Sequence, residues 1–377
     1  MTENTIVQYA QTHLESFDQL GFNEIDSLIL SCMSYVRLPI TSAQKVCFKD
    51  MFCAEHFDTM FHNVYSAPLS KELFTALCAS PRYRNMKVFH YVQDMDETEA
   101  KQFSAVCFQL SDTLAYVAFR GTDATIVGWK EDFNMAFTYP VPSQQEAARY
   151  LCSVLPDLKG NVIVGGHSKG GNLAVYAAMH IDPAQAGRIQ AVYSHDGPGF
   201  PQEIFLSEPF LKTAPKIRKT VPQSCVIGMI LEYQENYDVI KSSRFSVWQH
   251  DPYSWLVEGT RFIHLSHLTT GAAYVSTTVR SWLEHISVQE RERFLDTLYT
   301  ILSADQSKTS AEFRKNLPRS LPKMIETASS LSPDTKHFLA HTLQEIAKLT
   351  LLSVPQTIHP KNTPGISLDK SDQEMLY

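Results

Sequence analysis

A serine stands among small residues at Gly166-His167-Ser168-Lys169-Gly170-Gly171. The pattern G-x-S-x-G sets a hydroxyl on a sharp turn between a strand and a helix, where bulk two residues before or after would collide. A serine held there can attack a carbonyl carbon, and the free amides that open the following helix lie beneath the developing oxyanion. The bare pattern arises by chance in many chains, so its flanks decide. Val162-Ile163-Val164 reads as a buried strand, and Ala174, Val175, Ala177 and Ala178 give a helix slim enough to lie close on a sheet. Gly166 and Gly170 are the elbow glycines and Ser168 the candidate nucleophile.

An oxyanion needs a second donor besides the amide that follows the nucleophile, here that of Lys169. Val117-Ala118-Phe119-Arg120-Gly121-Thr122-Asp123 reads as a strand leaving through glycine into a loop, with Trp129 and Asp132 beyond it. Gly121 permits a sharp exit, and Thr122 offers an amide and a hydroxyl. Arg120 and Asp132 could pair to brace the loop.

These residues need a scaffold, and the periodicities supply one. Residues 1–84 read mainly helical, with Asn23 capping one helix and Ser42 another; their aromatic and Met residues read as core, or else as a lid. Runs at Met86–Val92, Phe103–Leu110 and Leu114–Arg120 read as strands, followed by a helix over Ser143–Leu155, the elbow strand and its helix. Further strand-like runs lie at Ile189–Ser194, Ser224–Leu231 and Phe245–Trp248. Strands alternating with helices imply an α/β fold with a mostly parallel sheet that starts antiparallel. Residues 85–280 would form this core. Residues 281–353 read as a helical addition, and 354–377, with Pro355, Pro360 and Pro364, as a disordered tail.

Composition narrows the function classes. The 377 residues carry a net charge of −7 and no basic run, which argues against nucleic acid. No apolar stretch reaches membrane-spanning length, and no leader is visible at Met1-Thr2-Glu3-Asn4, so a cytoplasmic setting is expected. Seven scattered cysteines form no CxxC pair and fit buried free thiols. HExxH is absent and no Cys–His cluster has zinc spacing, so neither a metal nor another cofactor is expected.

Taken together, Phe119-Arg120-Gly121-Thr122 with Trp129 and Asp132, then Gly166-His167-Ser168-Lys169-Gly170-Gly171, resemble the class 3 lipase branch of the α/β hydrolases, nearest a bacterial group of lipase-like proteins without an assigned substrate. The likeness covers roughly residues 85–260 and implies an α/β-hydrolase fold with Thr122 in the oxyanion hole. Lys169 departs from the leucine usual in that family. Its amide serves any side chain, but the lysine head group could favour an anionic group near the site.

In this fold the chain order is serine, acid, histidine. With Ser224–Leu231 taken as the strand two after the elbow, the acid lies in the loop that follows it. Asn236-Tyr237-Asp238-Val239-Ile240 is similar to the acid-bearing segment of the lipases, so Asp238 is the first choice. Glu235 and Asp196 are the alternatives. The base should follow Phe245–Trp248, where His250 stands, with His264 and His267 next. His167 reads as a structural residue beneath the elbow. The expected activity is a serine esterase or lipase-like hydrolase acting on a small-molecule or lipid ester, with transient contact to a membrane surface in the latter case. An acyltransferase using the same triad, or a binding protein that keeps the fold without turnover, are the other readings.

Overall fold

The computed structural model describes residues 4–62, 64, 66–96, 101–122, 135, 138–234 and 236–285, and beyond them 287, 289–290, 293–294, 297, 300, 322–342 and 344. Nine strands form one sheet in the order β1-β2-β3-β4-β5-β6-β7-β8-β11. They are β1 (Val46–Cys47), β2 (Lys87–Asp96), β3 (Lys101–Gln109), β4 (Leu114–Phe119), β5 (Asn161–His167), β6 (Ile189–His195), β7 (Ile217–Pro222), β8 (Asp238–Ile240) and β11 (His264–Leu265). The strands β9 (Val257–Glu258) and β10 (Arg261–Phe262) make a separate antiparallel pair. From β4 to β8 every neighbour is parallel, and both edges are antiparallel. The architecture is α/β and of the α/β-hydrolase kind: a mixed sheet flanked by helices, with the turn through Ser168 at the carboxyl end of a central parallel strand.

Parallel strands bury both faces, so their sequences are apolar almost throughout. One face packs against helices α1 (Ile6–Thr12), α2 (Glu24–Met33) and α3 (Ala67–Ala79). This cluster joins Leu28, Ile29, Phe48, Phe74, Val106, Tyr116, Ile163 and Trp255. The other face packs against α4 (Pro142–Val154) and α5 (Lys169–Met179), joining Phe103, Val117, Phe119, Leu151, Val162, Val164 and Leu173. Alternate residues of β5 therefore divide between the two cores. Helix α6 (Thr270–His285) and helical segments at 322–330 and 333–342 follow the sheet.

Asn23 caps α2 as expected, with its side-chain oxygen accepting from the Ile25 and Asp26 amides. Asp26 is fully buried, paired with Arg82 at 2.6 Å and hydrogen-bonded by the Tyr83 hydroxyl. A second polar cluster ties α2 to the sheet: the Tyr116 hydroxyl meets Ser27 and Ser31, and Ser27 meets His195 on β6. The N-terminal helices thus form a layer of the core, and their aromatic and Met side chains are largely buried there.

Three local expectations are corrected. The stretch after Ser42 is the short edge strand β1 followed by 3-10 turns and a single helical turn at Phe57–Met60, because Val46 and Cys47 pair with Val88 and Lys87 of β2. Ser224–Leu231 is a loop around the 3-10 turn Ile227–Met229; the strand at this place is β7, which ends before it. Phe245–Trp248 leads into a 3-10 turn at Ser246–His250, with Phe245 exposed. The helical addition expected over 281–353 falls partly, and the tail expected at 354–377 wholly, outside the described residues.

Candidate active site

Ser168 joins β5 to α5 with φ +59° and ψ −135°, a strained conformation for a residue bearing a Cβ. Its amide donates to the His195 carbonyl at 2.9 Å, which fixes the turn against β6. The flanking glycines are required by close backbone approach. A Cβ on Gly170 would lie 2.1 Å from the Phe119 carbonyl oxygen, and one on Gly166 2.3 Å from the Gly170 carbonyl. The Lys169 amide stands at the first position of α5, where helix amides have no intrahelical acceptor. Gly121 runs beside the elbow: its missing Cβ would fall 3.1 Å from Ser168 Cβ and 2.1 Å from the Tyr35 hydroxyl. Thr122, half-buried, follows directly. Both supposed oxyanion donors therefore belong to segments that meet at the serine.

His250 is the expected base, and its Nδ1 lies 2.6 Å from Asp196 Oδ2. The carboxylate can only accept, so Nδ1 carries the proton and Nε2 is left as the ring's acceptor. Asp196 follows β6 directly and is fully buried with φ +50°. Its Oδ1 accepts from the Gly228 amide at 3.0 Å. Because the Ser168 amide is bonded to His195, the residue before Asp196, nucleophile and carboxylate rise from adjacent strands. The structure pairs His250 with Asp196, not with the first-choice Asp238. Asp238 opens β8 with its side chain more than half exposed and lies 3.8 Å from His264 Nδ1. His264 in turn meets Glu24, and His267 meets Ser266 at the surface. Glu235 lies outside the described residues.

His167 does more than fill space. Its Nε2 lies 2.9 Å from the His250 carbonyl, and its Nδ1 3.2 Å from the Tyr35 hydroxyl. A carbonyl only accepts, so Nε2 bears the proton and Nδ1 is an acceptor; the single Tyr35 hydroxyl proton stands 3.2 Å from both Nδ1 and the His167 carbonyl oxygen. Burial, reinforced by the nearby His250, holds the His167 pKa well below the ordinary histidine value. His195, between Thr220 and Ser27, is pushed down by burial to about 3. Both rings are therefore neutral near pH 7 and position other groups. Trp255 backs them, with its ring centroid 5.9 Å from His167 and 6.1 Å from His195, and its Nε1 donates to the Gln249 carbonyl.

The lysine after the serine is buried, and its Nζ donates to the Gln102 carbonyl on β3 at 3.0 Å. That placement corrects the expectation that its head group selects an anionic substrate. Arg120 is also buried, with Nε and Nη2 lacking an acceptor among the described residues; Asp132 and Trp129 lie outside them. Sequence reasoning missed Cys225, whose sulfur sits beside the Asp196–His250 pair, as well as Gly228 and Tyr35. No spacing signals them, since Cys225 and Gly228 stand in the loop after β7 and Tyr35 in the turn after α2.

The family model described as Mbeg1-like matches residues 77–300, more than half of the chain. No curated protein matches the sequence. Among solved structures the chain is similar to the native Rhizomucor miehei lipase propeptide complex, at 14% identity and a TM-score of 0.38, covering 59% of this chain and 76% of that one. It is also similar to M37 lipase, at 15% identity and a TM-score of 0.36, covering 55% of this chain and 69% of that one. Among the described residues no helix is long and apolar enough to cross a membrane.

Proposed function

The chain belongs to the Mbeg1-like family, and from that premise we propose that it is a lipase-like serine hydrolase cleaving carboxylic esters through an acyl-enzyme on Ser168. The observation that carries the reading is the hydrogen bond of His250 to the buried Asp196 carboxylate, which follows the strand paired with the one that ends at the strained elbow serine. A serine hydroxyl is a weak nucleophile until a neutral imidazole takes its proton. In this mechanism His250 Nε2 accepts that proton as Oγ attacks the ester carbonyl, and Asp196 stabilises the imidazolium that results. The amides of Lys169 and Thr122 hold the oxyanion. His250 then protonates the leaving alkoxide, and water, activated by the same ring, releases the acid. The substrate is a small-molecule or lipid ester.

A fluorophosphonate probe tests the nucleophile. The wild-type protein should be labelled at Ser168 and the Ser168→Ala protein not at all. Equal labelling of both, or of neither, removes the enzyme reading and leaves a binding protein on this fold. Added alcohol or amine acceptors during ester turnover separate hydrolysis from acyl transfer.

A further inference from the structure

Asp196 Oδ, Cys225 Sγ and a His250 ring nitrogen all lie within 4.8 Å of one another. Asp196 and Cys225 are fully buried, and the His250 side chain, 23% exposed, forms the open side. The three come from different places: the end of β6, the loop after β7, and the 3-10 turn Ser246–His250. Their hold is firm. Gly228 N–H fixes the carboxylate, and the Cys225 amide donates to the Pro222 carbonyl at 3.2 Å. Gln249 accepts from the Ser224 amide at 2.7 Å, tying the cysteine loop to the histidine turn. Cys225 is a free cysteine.

Thiolate, imidazole and carboxylate together are the donor set of a zinc-type ion. Bond lengths of about 2.0–2.3 Å in a tetrahedral site put ligand atoms roughly 3.3–3.8 Å apart. The 2.6 Å Asp196–His250 contact would widen and the sulfur would close in, by side-chain rotation of about an ångström. We propose that Asp196, Cys225 and His250 form an inhibitory site for a thiophilic divalent cation such as Zn²⁺, with water as the fourth ligand. Binding replaces the Cys225 S–H bond by a sulfur–metal bond and releases that proton to solvent. The Nδ1 proton of His250 moves to Nε2 as the metal takes Nδ1, so the ring can no longer accept the serine's proton. A protein in this state is intact but switched off until the metal is withdrawn. The inhibitory consequence rests on the proposed hydrolase reading; the site itself does not.

Two readouts keep them apart. Co²⁺ added to the metal-free protein should give a thiolate-to-metal charge-transfer absorption, and Zn²⁺ in weak buffer should release one proton per chain. Both should vanish in Cys225→Ser, which keeps a hydroxyl beside Asp196 but removes the soft ligand. In ester turnover, Zn²⁺ should inhibit the wild type reversibly with a chelator, and Cys225→Ser should need at least tenfold more. Absence of the absorption, or equal metal response in Cys225→Ser, overturns the site. If the absorption appears while no ester is turned over, the hydrolase reading fails and the metal site stands.

Discussion

Replacing Asp196 by asparagine separates the observed pairing from the one that the strand count and the lipase likeness suggested. Asp196 is fully buried, so no water substitutes for its carboxylate. One amide atom must serve Gly228 N–H, held at 3.0 Å, and only oxygen can accept there. The amide nitrogen then takes the place of Oδ2, 2.6 Å from His250 Nδ1, and donates to it. His250 is forced into the Nε2–H tautomer and cannot take the proton of Ser168. By the behaviour of serine triads the loss in kcat is about 10⁴-fold, or about 5 kcal/mol of transition-state stabilisation, with KM little changed. Asp238→Asn, at an exposed carboxylate facing His264, should stay within about fivefold of wild type. The assay is p-nitrophenyl ester hydrolysis with fluorophosphonate labelling rates alongside, and melting curves establish that both variants fold. If Asp196→Asn keeps more than about a tenth of the wild-type kcat while Asp238→Asn collapses, the assignment of the acid is refuted.

Other consequences can be measured directly. His195 is held neutral to about pH 3, against an ordinary value of 6.5, so the folded state binds fewer protons than the unfolded chain between those limits. Stability is complete above pH 6.5 and is lost as pH falls, by about 1.4 kcal/mol per pH unit, or about 2 kcal/mol between pH 6.5 and 5 from this ring. Urea unfolding at the two pH values should show a loss at least this large, because His167 adds in the same direction, and a flat profile would contradict it. Gly170→Ala puts a methyl 2.1 Å from the Phe119 carbonyl, backbone that cannot swing aside. It should cost at least the upper end of the about 1–3 kcal/mol typical of overpacking, and reduce probe labelling with it. Arg82→Met leaves the Asp26 carboxylate buried without its cation and frees the Glu15, Leu20 and Gly21 carbonyls. A loss of about 3–5 kcal/mol should appear by denaturant titration, and a change under about 1 kcal/mol would deny the pair its role.

The elbow could be read from the chain because everything that makes it is local: an apolar strand, spaced glycines and a slim helix within a few turns. Its partner could not. Ile217–Pro222 hides its strand character behind Arg218 and Lys219, yet Lys219 is buried, paired with Glu232 and donating to the Gly197 carbonyl. A charged residue neutralised in the interior breaks the apolar run that periodicity looks for. Ser224–Leu231 has that run but folds as a loop, with the Gly228 amide spent on Asp196 in place of a strand neighbour. Counting Ser224–Leu231 as the strand places the expected acid one strand past Asp196, the carboxylate that meets His250. His250 was within reach because it lies late in the chain order, whereas Phe245–Trp248 before it is apolar for its surface and forms no strand. The hydroxyl–imidazole cluster of Tyr116, Ser27 and His195 had no sequence signature, since its members stand 89 and 168 positions apart.

That cluster decides where the chain may be cut. Trimming away the first 84 residues would strip most of one side of the sheet, baring Val106, Ala118 and Ile163 to water. Tyr116 and His195 would lose the serines that satisfy them in the interior. The shortened product should aggregate, so the smallest workable fragment for biochemistry begins at the first helix.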